Sequence, residues 1–242
     1  MDEDVPVDPD APETIQWRRD ASTSRLVRLL WSLGVGTFFA MIAIIAFWRL
    51  YDVAAQAGVG SVVVAAVAAI AVTIVVLAVD PRAERRLERV ANALSISVST
   101  ERSLERAVDA AVGTLAMAVV IGGLMGAGRI VSEGDLLGDV GAGPFTLLAA
   151  FTLPAALLAL VLASFLSSRG ALDTDEGVLY LADPDQAIDL EVIIDVSTRQ
   201  VGGATIVGLT YAQPGGQYVP GPRRIVVPRE IADEVERVAA TA

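Results

Sequence analysis

The chain has 242 residues, 29 acidic against 18 basic, a formal net charge of −11 and 54% hydrophobic residues, too apolar for an ordinary soluble domain. Cysteine, histidine and lysine are all absent, and every basic residue is arginine. That excludes disulfides, thiolate and imidazole catalysis, Schiff bases, Ser–Lys dyads and a Walker-type lysine, so no enzyme and no cofactor is expected.

Residues 1–24 carry seven acids and two arginines, with prolines at 6, 9 and 12. They are expected to be a disordered acidic cytoplasmic tail. Arg18-Arg19 raises the question of a twin-arginine export signal, but Asp20-Ala21-Ser22 stands where such a signal places apolar residues. An uncleaved first span is the better reading.

Four apolar runs are each long enough to cross a bilayer core, which takes about 20 helical residues. They are 26–48, 59–79, 110–128 and 144–166, within a domain covering 25–168. Their flanks give an orientation, because arginine accumulates on cytoplasmic sides. Eleven arginines flank the spans on one side, Arg18, Arg19, Arg25 and Arg28 at the start of span one, six between spans two and three, and Arg169 just after span four; Arg49 and Arg129 alone flank them on the other. The expectation is a multi-pass protein of the plasma membrane, two transmembrane hairpins with both termini cytoplasmic.

Between spans two and three, residues 80–106 read as an amphipathic cytoplasmic connector. Asp80-Pro81 is a helix start, Asp as N-cap and Pro pre-set for the first helical position. Ala83, Leu87, Val90, Ala91 and Leu94 then fall on one helical face. "SISVST" disfavours helix, and Ser99 can cap a second helix running into span three. Arg82, Arg85, Arg86 and Arg89 are the topology and coupling candidates here. They read first as cytoplasmic markers above a face packed under the bundle, and second as a link between the hairpins and the C-terminal domain.

From Leu29 to Trp48 and throughout the other three runs no Asp, Glu, Arg or Lys occurs, where ion-coupled transporters, pumps and intramembrane proteases generally need one. Small residues recur every fourth position: Ser32, Gly36, Ala40; Ala65, Ala69, Thr73; Ala118, Gly122, Gly126; Ala155, Ala159, Ala163. Such stripes allow close helix approach, so Gly36, Gly122 and Gly126 are candidates for helix packing. Pro154 is a fourth, as the site of a kink in span four.

From residue 169 strand signals replace helical ones. "GVLYLA", "AIDLEVIIDV", "ATIVGLTYA" and "RRIVVP" are β-branched runs separated by polar, Gly- or Pro-containing turns. "REIADEVERVAA" follows as an amphipathic helix with Ile231, Val235 and Val238 on one face. The fold class is therefore an all-α four-helix membrane bundle with a small cytoplasmic β-rich (α+β) domain over 169–242, closed by a helix. "DTDEG" at 173–177 and "DPD" at 183–185 lack the continuation of a calcium loop and read as surface acids. Arg223 and Arg224 are candidates for lipid-headgroup contacts. With twelve acids and six arginines in this domain, nucleic acid is not an expected partner.

The strand–turn–strand pattern of "IDLEVIIDVSTRQVGGATIVGLTY", followed by "IVVPREIADEVERV", resembles the bacterial-type pleckstrin-homology-like domains that follow membrane spans. That resemblance implies about seven strands, where the sequence pattern gives four or five, and a scaffold or interaction role without catalysis. The acidic excess, a pI near 4.4 and arginine as the sole basic residue resemble proteins of extremely salt-loving archaea. Dense carboxylates hold water when salt screens charge to a few Å. The expected function is a non-enzymatic integral membrane protein that anchors a cytoplasmic interaction module, with the lipid bilayer and a protein partner or a second copy as its partners. The alternative is a small oligomeric channel or transporter.

Overall fold

The computed structural model describes residues 14–79, 101–135, 138–183, 185–213 and 219–240. The chain divides into two compact units. One combines residues 1–27 with 163–242; the other is 28–162.

The first unit contains all seven strands found among the described residues. β1 (Thr14–Arg19), β2 (Ser168–Asp173), β3 (Val178–Ala182) and β4 (Asp185–Asp189) form one antiparallel sheet in that order. β5 (Ile193–Val201), β6 (Ala204–Tyr211) and β7 (Arg224–Val227) form a second. β1 is the departure from expectation: residues 14–19 belong to a sheet, not to a disordered tail. Its sequence TIQWRR alternates, with Trp17 and Arg19 buried on one face, and it pairs in register with β2 from Thr14↔Asp173 to Arg19↔Ser168. β2 was also missed, because SRGALD carries no β-branched residue.

The run "AIDLEVIIDV" is not one strand either. It divides into the end of β4, a single 3-10 turn at Leu190–Val192, and the start of β5. The break has a local cause: the Asp189 carboxylate accepts the Glu191 N–H at 2.9 Å, and Leu190 is fully buried beneath it. This turn carries the chain from the first sheet to the second. β5 and β6 meet through the two-residue loop Gly202-Gly203, whose φ values of +53° and +75° suit the twist of the strands and favour glycine.

A helix, α5 (Arg229–Ala239), closes the unit. It buries Ile231, Ala232, Val235 and Val238, one helical stripe, against β5, β6 and the 3-10 turn. They join Trp17, Leu172, Leu179, Leu190, Val207 and Val227 in one continuous core.

The second unit holds most of four long helices: α1 (Arg25–Gln56), α2 (Gly60–Val79), α3 (Glu101–Glu133) and α4 (Gly143–Phe165). All four are long and apolar enough to cross a membrane. α1 and α2 form a hairpin through a tight turn in which Gly58 takes φ +77° and donates to Ala55 O at 3.0 Å, as a helix-ending glycine does. α2 packs against α3 yet buries none of its own residues. α3 begins at Glu101, so the end of the expected connector is already part of the third long helix.

In chain order, the four helices are an insertion between β1 and β2. The β-rich unit is therefore built from both flanks of the insertion, and does not begin at residue 169.

Candidate functional site

The features with the most specific geometry lie at the joint where the chain leaves β1 for α1 and returns from α4 into β2. Trp17 is buried, and its indole N–H donates to Ser168 Oγ at 3.3 Å across the β1–β2 pair. Arg19 is 9% exposed and spends its guanidinium on three backbone carbonyls. Nε donates to Leu166 O at 3.2 Å, Nη1 to Gly203 O at 3.0 Å and Nη2 to Gly202 O at 3.1 Å. One side chain thus ties the end of β1 to the end of α4 and to the β5–β6 turn. Burial pulls its pKa below the ordinary arginine value, yet an arginine keeps its charge in proteins. A planar fork of five donors suits this three-way contact, and a lysine ammonium does not.

Asp20 follows at once and is 6% exposed. Its carboxylate accepts from Arg18 Nε at 2.7 Å and from the Ser22 backbone N–H at 2.9 Å, and it also accepts the Ser22 hydroxyl. Arg169 of β2 stands 3.7 Å away. Burial alone raises the Asp20 pKa, but the hydrogen bonds from Ser22 and Arg18 and the Arg18 charge outweigh it and hold the carboxyl well below the usual range. The turn is closed by Ser24 N–H donating to Asp20 O at 2.9 Å and by Asp20 N–H donating to Thr23 Oγ1 at 3.0 Å. Ser24 then caps α1, its Oγ 3.5 Å from the Val27 N. "RRDASTS" is therefore a built corner between strand and helix. Its signal in the sequence was the alternation of Ile15, Trp17 and Arg19, easily lost against the acidic run before it.

In the helical unit, Gly36 sits where α1 crosses α3. A Cβ there would collide with the Gly113 carbonyl group, and one on Gly113 would collide with the Ser32 carbonyl. Gly34 touches α4 in the same way, a Cβ lying 2.6 Å from Leu160 Cγ. Gly36 is thus a close-packing position, with Gly113 as its unanticipated partner on α3, and Gly34 is a second, unanticipated one against α4. Gly122 and Gly126 are not: a Cβ on either would meet nothing within 4 Å. They line an apolar groove of about 540 Å³ with Phe47 and Trp48 of α1, Val67 of α2 and Met125 of α3, and Arg129 at one end. The small-residue pattern predicts packing, but α1 meets α3 through Gly113, away from Gly122 and Gly126. Pro154 lies inside an uninterrupted α4 with its ring exposed. Arg28 of α1 pairs with Asp109 of α3 at 2.5 Å and approaches Glu105 at 3.7 Å.

Among the remaining candidates, Arg223 stacks over Tyr211 at 4.3 Å and donates to Val219 O at 2.9 Å, while Arg224 opens β7 as an exposed residue. Asp173 caps its own hairpin, accepting from the Asp175 and Glu176 N–H groups at 3.0 and 2.9 Å, and Asp185 accepts the Tyr180 hydroxyl at 2.6 Å. Arg82, Arg85, Arg86 and Arg89 lie outside the described residues, as does the connector as far as residue 100. Among the described residues, no group of three or more carboxylates is arranged to hold a metal ion.

No family model, no curated protein and no solved structure matches this chain.

Proposed function

We propose that this chain is a non-enzymatic integral membrane protein whose four helices cross the bilayer as two hairpins and hold a cytoplasmic interaction module. The observation that carries this reading is the insertion of the four helices between β1 and β2, two paired strands of one sheet. Pairing keeps both ends of the insertion together, and only an even number of crossings returns the chain to the side it left. Four spans satisfy that requirement, and the arginine count on the flanks gives the shared side as cytoplasmic.

The module reading draws support from the strand count. Seven strands in sheets of four and three among the described residues, closed by a C-terminal helix over one continuous core, make a unit with a fold of its own beside the apolar helices. The bundle reading draws on α1 and α3 touching backbone to backbone at Gly36 and Gly113, and on spans that carry no ionisable group in their apolar stretches. Close packing and apolar faces suit an anchor.

Affinity capture of the full chain from native membranes tests the proposal. A protein partner, or the chain itself, is expected to co-purify and to be lost on deletion of 169–242. Capture of nothing, the chain included, sinks the reading.

A further inference from the structure

β5 is the longest strand of the β-rich unit, nine residues, and it lies at the edge of its sheet: β6 pairs with one side, and among the described residues no strand pairs with the other. Edge strands invite added strands along any stretch that is not short, bulged, interrupted by proline or guarded by charge. β5 contains no proline, its charged residues are Asp195 and Arg199, and a shift of register with β6 between Ile193 and Asp195 leaves Ile194 as a bulge, while Asp195–Val201 pairs without interruption. Ile194, 67% exposed, presents an apolar side chain beside that edge.

The two ends of the strand differ. At Val201 the chain enters the Gly202-Gly203 turn, which Arg19 holds by both carbonyls and which Leu26 touches. At Ile193–Val196 the strand instead borders a groove of about 190 Å³ against α5, whose other wall is Glu236, Ala239 and Ala240. Asp195 and Glu236 face this groove from its two walls, and neither has an ion pair among the described residues. An open row of main-chain groups, an apolar patch and two unpaired carboxylates describe a complementary ligand: extended, partly apolar and positively charged.

We propose that the outer edge of β5, with its groove against α5, binds an extended basic segment of a partner protein as an added strand. The proposal rests on the interaction-module reading and gives that module its docking surface. Main-chain hydrogen bonds supply the register, Ile194 and Ala239 receive an apolar side chain, and Asp195 and Glu236 select a cationic one.

The test uses the full chain in nanodiscs of zwitterionic lipid and three labelled nine-residue peptides: alternating Arg and Val, the same with a central proline, and alternating Glu and Val. The Arg/Val peptide is expected to bind and to slow amide exchange across 193–200 by tenfold or more. The proline peptide keeps the charge but interrupts the ladder, so it and the Glu/Val peptide are expected to bind about tenfold more weakly. Asp195→Arg and Glu236→Arg, both at exposed positions, are each expected to weaken the Arg/Val peptide by a similar factor. Equal binding of the proline peptide, no binding of the Arg/Val peptide, or protection confined to another surface overturns the proposal. So does concentration-dependent protection of β5 without peptide, which would place a second copy on the edge. Partner capture separates this failure from that of the module: native partners retained by Asp195→Arg sink the edge alone, whereas a wild-type chain that captures nothing sinks the module.

Discussion

Arg19 and Asp20 are adjacent residues of opposite charge, and each is buried by a different compensation. Arg19 is matched by three carbonyl oxygens, so shortening it leaves several buried acceptors without donors. Arg19→Met is expected to destabilise the β-rich unit by about 3 kcal/mol, and Arg19→Lys by somewhat less, since one ammonium cannot reach three separated carbonyls. Differential amide exchange of β1 and the β5–β6 turn measures this. Asp20 gives a pH signature. Its folded pKa lies below the unfolded value of about 3.9, so its contribution is complete above that value and lost as pH falls through the folded pKa. At neutral pH, Asp20→Asn is expected to cost about 1.5–3 kcal/mol. Against wild type the difference should narrow on acidification below about pH 4. A difference that stays constant down to pH 2 would assign Asp20 a purely steric role.

At the scale of elements, the contact of α1 with α3 gives the sharpest contrast among glycines that look alike in sequence. Gly36→Ala places a methyl group against the Gly113 carbonyl and should disrupt the bundle, read as loss of the folded species in detergent. Gly126→Ala meets open space and should be neutral or stabilising by up to about 1 kcal/mol, the helix-propensity gain of alanine over glycine. Equal effects at the two positions would contradict the observed packing. The same pair shows what the sequence could yield. The apolar runs locate all four long helices, since length and hydropathy are properties of each segment alone. Which face meets which partner depends on crossing points set by the other helices, so the stripe at Gly122 and Gly126 was legible and its role was not. In the β-rich unit, β3, β6, β7 and α5 were readable from β-branched runs and from the Ile231, Val235, Val238 stripe. β1 and β2 were not: the short alternation of β1 is lost beside the acidic run before it, β2 has no β-branched residue, and their pairing joins segments roughly 150 residues apart in the chain. The joint went unread for the same reason: Arg19 needs partners at 166, 202 and 203 before it is more than one of two adjacent arginines.

For the whole molecule, the insertion of the helices between β1 and β2 binds topology and fold together, and the absence of native cysteine makes both accessible to thiol chemistry. With single cysteines and a membrane-impermeant thiol reagent on intact cells, Asp135→Cys, between α3 and α4, should be labelled from outside. Asp175→Cys, in the β2–β3 turn, should react only after lysis. The reverse pattern would invert the orientation, and labelling of both in intact cells would break the four-span reading. The most direct measurement addresses the β1–β2 pair itself. Gln16 and Ala171 are register partners, and antiparallel neighbours stand about 4.5–5.5 Å apart at Cα, within disulfide range. In the Gln16→Cys, Ala171→Cys double variant, mild oxidation should yield one intramolecular cross-link that closes a loop around all four helices. Free alkylation of both thiols under the same conditions would contradict a module built from both flanks of the membrane helices.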